Sequence, residues 1–330
     1  MSRRARTPAL ILALLLALPA GRAAIAQPRP VQLSAEPVPM DRTHPEADHA
    51  DGFGWAGGLW LKGPRDQGFG GLSDLKVDAK GRLIAVSDEG ALFRAGLALD
   101  ANGRLSGLQD PTLEPLTGED GAPLTHKVDA DAEGLAEWPN GDLMVSFEHR
   151  HRIWLYPARG GRPRTLPMPH VSMPANEGME GLSLAPSQGA DAYWVGVEHG
   201  SVWLCRRSAD CERWKGMPGP GLGCRLSALN EAPGRRLLLL HHCYNPITGR
   251  SHVRVMVLAI PASPKDAPAE LAELKISPPM TVDNLEGVAV VRGPSGGLRM
   301  YLISDDNFSD LQRTLLLAYD LPQEGAARRR

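Results

Sequence analysis

After its first 26 residues, the chain has no stretch of ten or more residues with the 3.6-residue spacing of an amphipathic helix. Its apolar residues come in short runs broken by glycine-bearing turns. One unit recurs: a Gly-Leu-Ser/Ala start, a turn, an apolar strand, then an acidic or polar cluster. The first copy runs from Gly71-Leu72-Ser73 through Leu83–Ser87 to Asp88-Glu89, and the second from Glu133-Gly134-Leu135-Ala136 through Leu143–Phe147 to Glu148-His149. The third runs from Glu180-Gly181-Leu182-Ser183 through Tyr193–Val197 to Glu198-His199. A degenerate fourth runs from Arg225-Leu226-Ser227 through Leu237–Leu240 to His241-His242, and the fifth from Glu286-Gly287-Val288-Ala289 through Met300–Ile303 to Asp305-Asp306-Asn307. The starts at Leu72, Leu135, Leu182, Leu226 and Val288 are 63, 47, 44 and 62 residues apart. Two of these intervals match the roughly 40 to 50 residues of a propeller blade, and the longer two leave room for loops or an extra strand. The predicted fold is therefore all-β, a single β-propeller with those five residues at equivalent places. Six blades are preferred, with five or seven open; the sixth would close by joining Trp55–Lys62 to Thr314–Leu321, which removes the open sheet edges.

The ends of the chain read differently. Residues 1–26 carry Arg3, Arg4 and Arg6, an apolar run from Ala9 to Leu18, and Ala24-Ile25-Ala26, the pattern of a cleaved signal peptide. The apolar run is about ten residues, short of the roughly 20 that a membrane-spanning helix needs. A periplasmic or secreted protein without a membrane span is expected. Its domain covers residues 52–322, flanked by loosely ordered arms at Gln27–Asp51 and Gln323–Arg330 that are rich in proline and charge. Losing Arg3, Arg4, Arg6 and Arg22 from 36 basic residues against 38 acidic ones moves the net charge from −2 to −6, which disfavours nucleic acid as a partner. Four cysteines fit an oxidising compartment. The turn Ala232-Pro233-Gly234 folds Cys224 back opposite Cys243, and Cys205 with Cys211 closes a small loop, so two disulfides are expected. The spacings do not make the paired C-x-x-C of structural zinc.

Several segments resemble the phytase-like domain family, also described as proteins with esterase-like activity of phytase. They are Phe69-Gly70-Gly71-Leu72-Ser73, Ala85-Val86-Ser87-Asp88-Glu89-Gly90, Asp131-Ala132-Glu133-Gly134-Leu135-Ala136, Asn176-Glu177-Gly178-Met179-Glu180-Gly181-Leu182 and Asp283-Asn284-Leu285-Glu286-Gly287. Ser304-Asp305-Asp306-Asn307-Phe308 and Gln312-Arg313-Thr314 complete the set. The resemblance covers nearly the whole chain after residue 26, and it implies a propeller related to hydrolases of phosphate or other esters.

In a propeller the equivalent loops of successive blades converge at one end of the central channel. One ring would hold Asp131 and Glu133, Asn176 and Glu180, and Asp283, Asn284 and Glu286; a second would hold Asp88 with Glu89, Glu148, Glu198, and Asp305, Asp306 and Asn307. Converging carboxylates raise one another's pKa unless a cation neutralises them, and calcium, which accepts six to eight oxygen ligands in flexible geometry, suits such loops. The alternative for each acid is a local role, binding turn N–H groups or tying one blade to the next. His149 and His199 follow the acid at matching positions and are candidate acid/base groups; a solvated loop is the plainer reading of His149. Arg313 is the candidate for an anionic substrate, or else a salt bridge that orients the Asp305–Asp310 segment. Arg225, where the fourth copy lacks Glu-Gly, is expected to stand outside the cation site. Ser73, Ser183 and Ser227 read as inner-strand packing. No G-x-S-x-G elbow, P-loop lysine motif or H-E-x-x-H pair occurs. The expected function is a calcium-dependent hydrolase of phosphate monoesters or other small esters and lactones using metal-bound water, acting as a monomer. The alternative is a non-catalytic propeller that binds a ligand or an envelope partner.

Overall fold

The computed structural model describes residues 28–323 except 246, 248 and 249. The expected signal peptide and all but the first residue of the expected C-terminal tail lie outside the described residues. No helix among the described residues is long and apolar enough to cross a membrane.

Five antiparallel sheets follow one another around a ring. We number the blades I to V by their innermost strands: Leu72–Val77, Ala132–Glu137, Gly181–Leu184, Cys224–Ala232 and Asn284–Arg292. Each packs against the next, and the strand of blade V returns to that of blade I. The strands expected to make a sixth blade do pair, Leu61 opposite Thr314 and Leu59 opposite Leu316, but they add to the blade V sheet. The ring thus closes at five, with strands from the two ends of the domain in one blade. Residues 28–51 run as short strands on the blades: Arg29–Pro30 pairs within blade I, and Ser34–Pro37 and His49–Ala50 pair with Phe53–Lys62.

Apolar alternation fills the spaces between sheets. Leu75, Leu83 and Phe93 of blade I pack with Tyr301 and Leu316 of blade V, whereas Ile84 and Val86 on the opposite face pack with Leu135 and Val145 of blade II. Polar side chains set between the sheets tie neighbouring blades together. Asp74 accepts from the Leu135 N–H (2.9 Å), Ser146 donates to the Met179 carbonyl (2.6 Å), and Ser183 accepts from the Glu231 N–H (3.0 Å). Asn230 accepts from the Val290 N–H (2.7 Å), and Lys76 reaches back to the Val288 carbonyl (3.4 Å). One tie therefore spans each of the five blade junctions. Ser183 thus bonds across blades instead of only filling space. The two disulfides join Cys205 to Cys211 and Cys224 to Cys243, and the latter residues are direct cross-strand partners.

The strand register corrects the expected equivalence. Leu135, Leu182 and Val288 pair with Val145, Val195 and Leu302, and the residues at that level in blades I and IV are Leu75 and Leu229, paired with Ala85 and Leu239. Leu72 and Leu226 lie three residues further upstream. The pairing shifts by one residue in the inner strands of blades I, II, IV and V, at Ser73, Glu133, Ser227 and Glu286. A bulge re-aims the side chain at the extra residue. The Leu-Ser of blades I and IV runs into that shift from upstream, whereas the Gly-Leu/Val of blades II and V follows it, so aligning the two by letter slips the register.

Candidate cation site at the channel mouth

The corrected register defines two rings. Two positions before the aligned Leu/Val stand Ser73, Glu133, Glu180, Ser227 and Glu286; three positions after its partner stand Asp88, Glu148, Glu198, His242 and Asp305. All ten line one cavity of about 400 Å³, together with Asp131, Lys127, His149, Asn176, Arg225 and Asn307. Ser73 and Ser227 thus face the channel, where a packing role was expected. Local backbone contacts recur around the mouth. The N–H groups of Asp88, Glu148 and Glu198 donate to the carbonyls of Gly71, Asp131 and Gly178, at 2.9, 2.8 and 3.1 Å. Two glycines of the motifs have steric reasons. At Gly71, φ is +60° and a Cβ would come within 1.9 Å of an Asp88 carboxylate oxygen; at Gly181 it would stand 2.9 Å from the backbone nitrogen of Leu229 in the next blade.

The charge is strongly unbalanced, with eight carboxylates against Lys127 and Arg225. Burial first, then neighbouring carboxylates, push Glu133, Glu180 and Glu286 well above the ordinary range. After burial, the carboxylates that raise Glu133 most are Asp131 and Asp88, those that raise Glu180 are Glu133 and Glu198, and those that raise Glu286 are Asp305 and Glu133. The same causes raise Glu148 and Asp305 to about 7. One oxygen each of Asp88 and Glu198 is buried without a hydrogen-bond partner. Oxygens of Glu148, Glu180 and Glu198 lie within 4.8 Å of one another, as do ligand atoms of Asp131, Glu148 and His149. This is a hard, oxygen-rich donor set of the kind calcium accepts.

Other expected site residues stand elsewhere or are already engaged. Asp283 is ion-paired to Arg313 (3.0 Å), which also donates to the Val282 carbonyl (3.0 Å). Neither lines the cavity, so Arg313 is held in a salt bridge, but to Asp283 and not to the Asp305–Asp310 segment, whose Asp306 and Asp310 pair with Arg65 instead. Asn284 donates to Glu286 (2.6 Å), and Asp306 accepts from the Gly71 N–H (3.0 Å); they hold neighbours in place from outside the cavity. His199 pairs with Glu177 (2.8 Å) outside the cavity, and Glu89 is exposed. His149, turned into the left-handed region (φ 52°), lies 3.1 Å from Asp131 at the cavity wall. Arg225, expected outside the site, lines it and hydrogen-bonds to Glu198. Lys127 was missed. It opens a four-residue helix in the long connection between blades I and II, and its Nζ lies 2.5 Å from Asp88 and 2.6 Å from Asp131. Its i,i+4 spacing to Asp131 was the available signal. A larger cleft of about 580 Å³ lies between the outer parts of blades I and II, lined by Leu92, Leu116, Leu143 and Tyr156. Its Arg94–Glu114 pair is closed (3.0 Å).

Fold and cavity together define a five-bladed propeller with an acidic, oxygen-rich channel mouth. The chain belongs to the phytase-like family, described as esterase-like activity of phytase, whose model matches residues 67–308. No curated protein sequence matches it. Among solved structures it is similar to virginiamycin B lyase from Staphylococcus aureus, with 10% identity, a TM-score of 0.41, and 88% of this chain and 100% of that chain covered. It is also similar to a putative gluconolactonase, with 13% identity, a TM-score of 0.45, and 90% and 93% covered. The Malassezia sympodialis allergen Mala s 1 is similar at 13% identity, with a TM-score of 0.43 and 83% and 91% covered.

Proposed function

We propose that the channel mouth holds a divalent cation, calcium by its oxygen donors, and that the protein is a calcium-dependent hydrolase of phosphate monoesters or other small esters and lactones. The observation that carries this reading is the convergence of Glu133, Glu180 and Glu286 at one level of the channel, in a cavity where carboxylates outnumber cationic side chains eight to two. Glu133, Glu180 and Glu286 would hold the ion from the channel side, with Glu148 and Glu198 close beside Glu180. When bound, it would supply Lewis acidity toward an ester or phosphoryl oxygen. The chain's own residues do the rest. Asp88 and Asp131 fix Lys127 at one wall, and Asp131 orients the His149 imidazole, which can take or give a proton there. Family membership supports ester chemistry, and the two disulfides are of the kind an extracellular protein keeps.

The deciding experiment is a metal analysis of the purified protein together with a phosphatase, esterase and lactonase screen, with and without calcium. Activity that chelator abolishes and calcium restores is expected. Calcium binding without turnover of any of the three classes would leave a ligand-binding propeller, and neither binding nor turnover would remove the cation reading.

A further inference from the structure

Blade IV is the one blade that places no carboxylate in either ring; blade I has Ser73 in the first ring but Asp88 in the second. At the level of Glu133, Glu180 and Glu286, blade IV has Ser227; at the level of Asp88, Glu148, Glu198 and Asp305, it has His242. Arg225 is the direct cross-strand partner of His242, and all three side chains line the cavity. Blade IV therefore contributes a hydroxyl, an imidazole and a guanidinium to a mouth that every other blade lines with carboxylate. The His242 Nε2 is buried without a hydrogen-bond partner, although the side chain belongs to the cavity wall. Arg225 is more than half exposed (58%), and its contacts to Glu198 and to Glu177, the latter at 3.8 Å, both run through Nη1. A guanidinium carries five donors, so this pairing leaves it capacity for a further oxyanion.

We infer that blade IV is the anion-receiving wall of the channel mouth, with Arg225 as the residue that recognises an oxyanion of the substrate and Ser227 and His242 completing the surface. The division is one of charge. Blades I, II, III and V present the oxygens that attract a cation, while blade IV presents donors and no carboxylate. An anion entering the cavity meets carboxylates on four sides, where Lys127 is already held by Asp88 and Asp131, and donors on the fifth. The inference rests on the cation reading, because eight carboxylates admit an anion only once they are neutralised. It makes Arg225 a specificity-determining residue that separates anionic from neutral esters.

The test is calorimetric titration of inorganic phosphate, kept below its solubility limit with calcium, into the calcium-saturated protein. The variants are Arg225→Ala, Arg225→Lys and, as control, Arg213→Ala on the exposed edge strand of blade III. Arg225→Ala is expected to weaken phosphate binding by about tenfold or more, Arg225→Lys by less, and the control not at all. The calcium-dependent rise in melting temperature should persist in all three. Phosphate binding indifferent to Arg225, or no phosphate binding by the calcium-saturated wild type, overturns the inference while a preserved calcium response leaves the cation reading standing. Phosphate binding that depends on Arg225 in a protein with no calcium response overturns the cation reading alone.

Discussion

Two groups of carboxylates, one fully buried and one half-buried, lie close together in this propeller and differ in how their charge is met. Asp74, the residue after Ser73 in the inner strand of blade I, is fully buried. It accepts from Lys76 Nζ (2.8 Å) and from the N–H groups of Leu75 (2.7 Å) and Leu135 (2.9 Å). Burial raises it to about 6, against the opposing pull of Lys76 and those two N–H groups. Among the described residues Glu133, Glu180 and Glu286 have no such set; Glu286 accepts from Asn284 (2.6 Å). A carboxylate whose partners are built in is a staple between blades. Carboxylates left facing one another across a cavity require a partner from solution.

The largest expected effect tests the closed side. Lys76→Met leaves Asp74 buried without its counter-charge and should cost about 3–5 kcal/mol in urea unfolding. Glu133→Gln in calcium-free protein should leave stability unchanged or raise it, because it removes repulsion. Equal losses from both would erase the distinction between the two groups.

A second measurement separates the two adjacent histidines of blade IV. His241 is fully buried, with neither ring nitrogen hydrogen-bonded, and faces Arg254 and Glu273, whereas His242 lines the cavity. Burial and Arg254 lower His241 from 6.5 to about 4, against a smaller opposite pull from Glu273. A histidine depressed in the fold costs nothing while it is neutral in both states. Below pH 6.5 the unfolded chain gains a proton that the folded one refuses, so stability falls progressively toward pH 4, by about 3 kcal/mol in total. His241→Leu should flatten that acid limb in pH-dependent unfolding; an unchanged limb would show that the loss comes from other groups.

Calcium at a hundredfold excess over its dissociation constant should stabilise the protein by about 2.7 kcal/mol, read as a rise in melting temperature that chelator reverses. Glu286→Gln should shrink that rise. A melting curve indifferent to both reagents, in protein free of tightly held metal, would show that the open carboxylates are met some other way. The smallest effect concerns the ties beneath the cavity. Ser146→Ala removes a hydroxyl that accepts from Gly134 N–H (2.8 Å) and donates to the Met179 carbonyl (2.6 Å), and should cost about 1–3 kcal/mol without changing the calcium response.

Much of this was legible in the chain because it is local. Apolar runs, glycine turns and, in four of the five blades, an acid after the second strand recur at blade-length intervals, and Cys224 faces Cys243 across a hairpin whose turn residues can be read directly. These features marked the blades and brought Glu133, Glu180 and Glu286 into one ring. Arg313 and Asp283, by contrast, carry the right chemistry for a site and are spent on each other. No local pattern distinguishes an engaged charge from an available one.

The blade count depended on ring closure. Trp55–Lys62 and Thr314–Leu321 read alike whether they form a blade or complete one, and only the packing of blade V against blade I settles that. Register depended on bulges, which shift the pairing by one residue without any single residue type announcing them: Ser73 and Glu133 stand at the same level. The sequence by itself determined which segments become strands and which residue types each blade carries to the channel. The tertiary structure decided which of those side chains meet, because convergence around an axis depends on register summed over five sheets, and which charges are compensated, because a partner such as Lys127 arrives from a connection with no repeat to predict it.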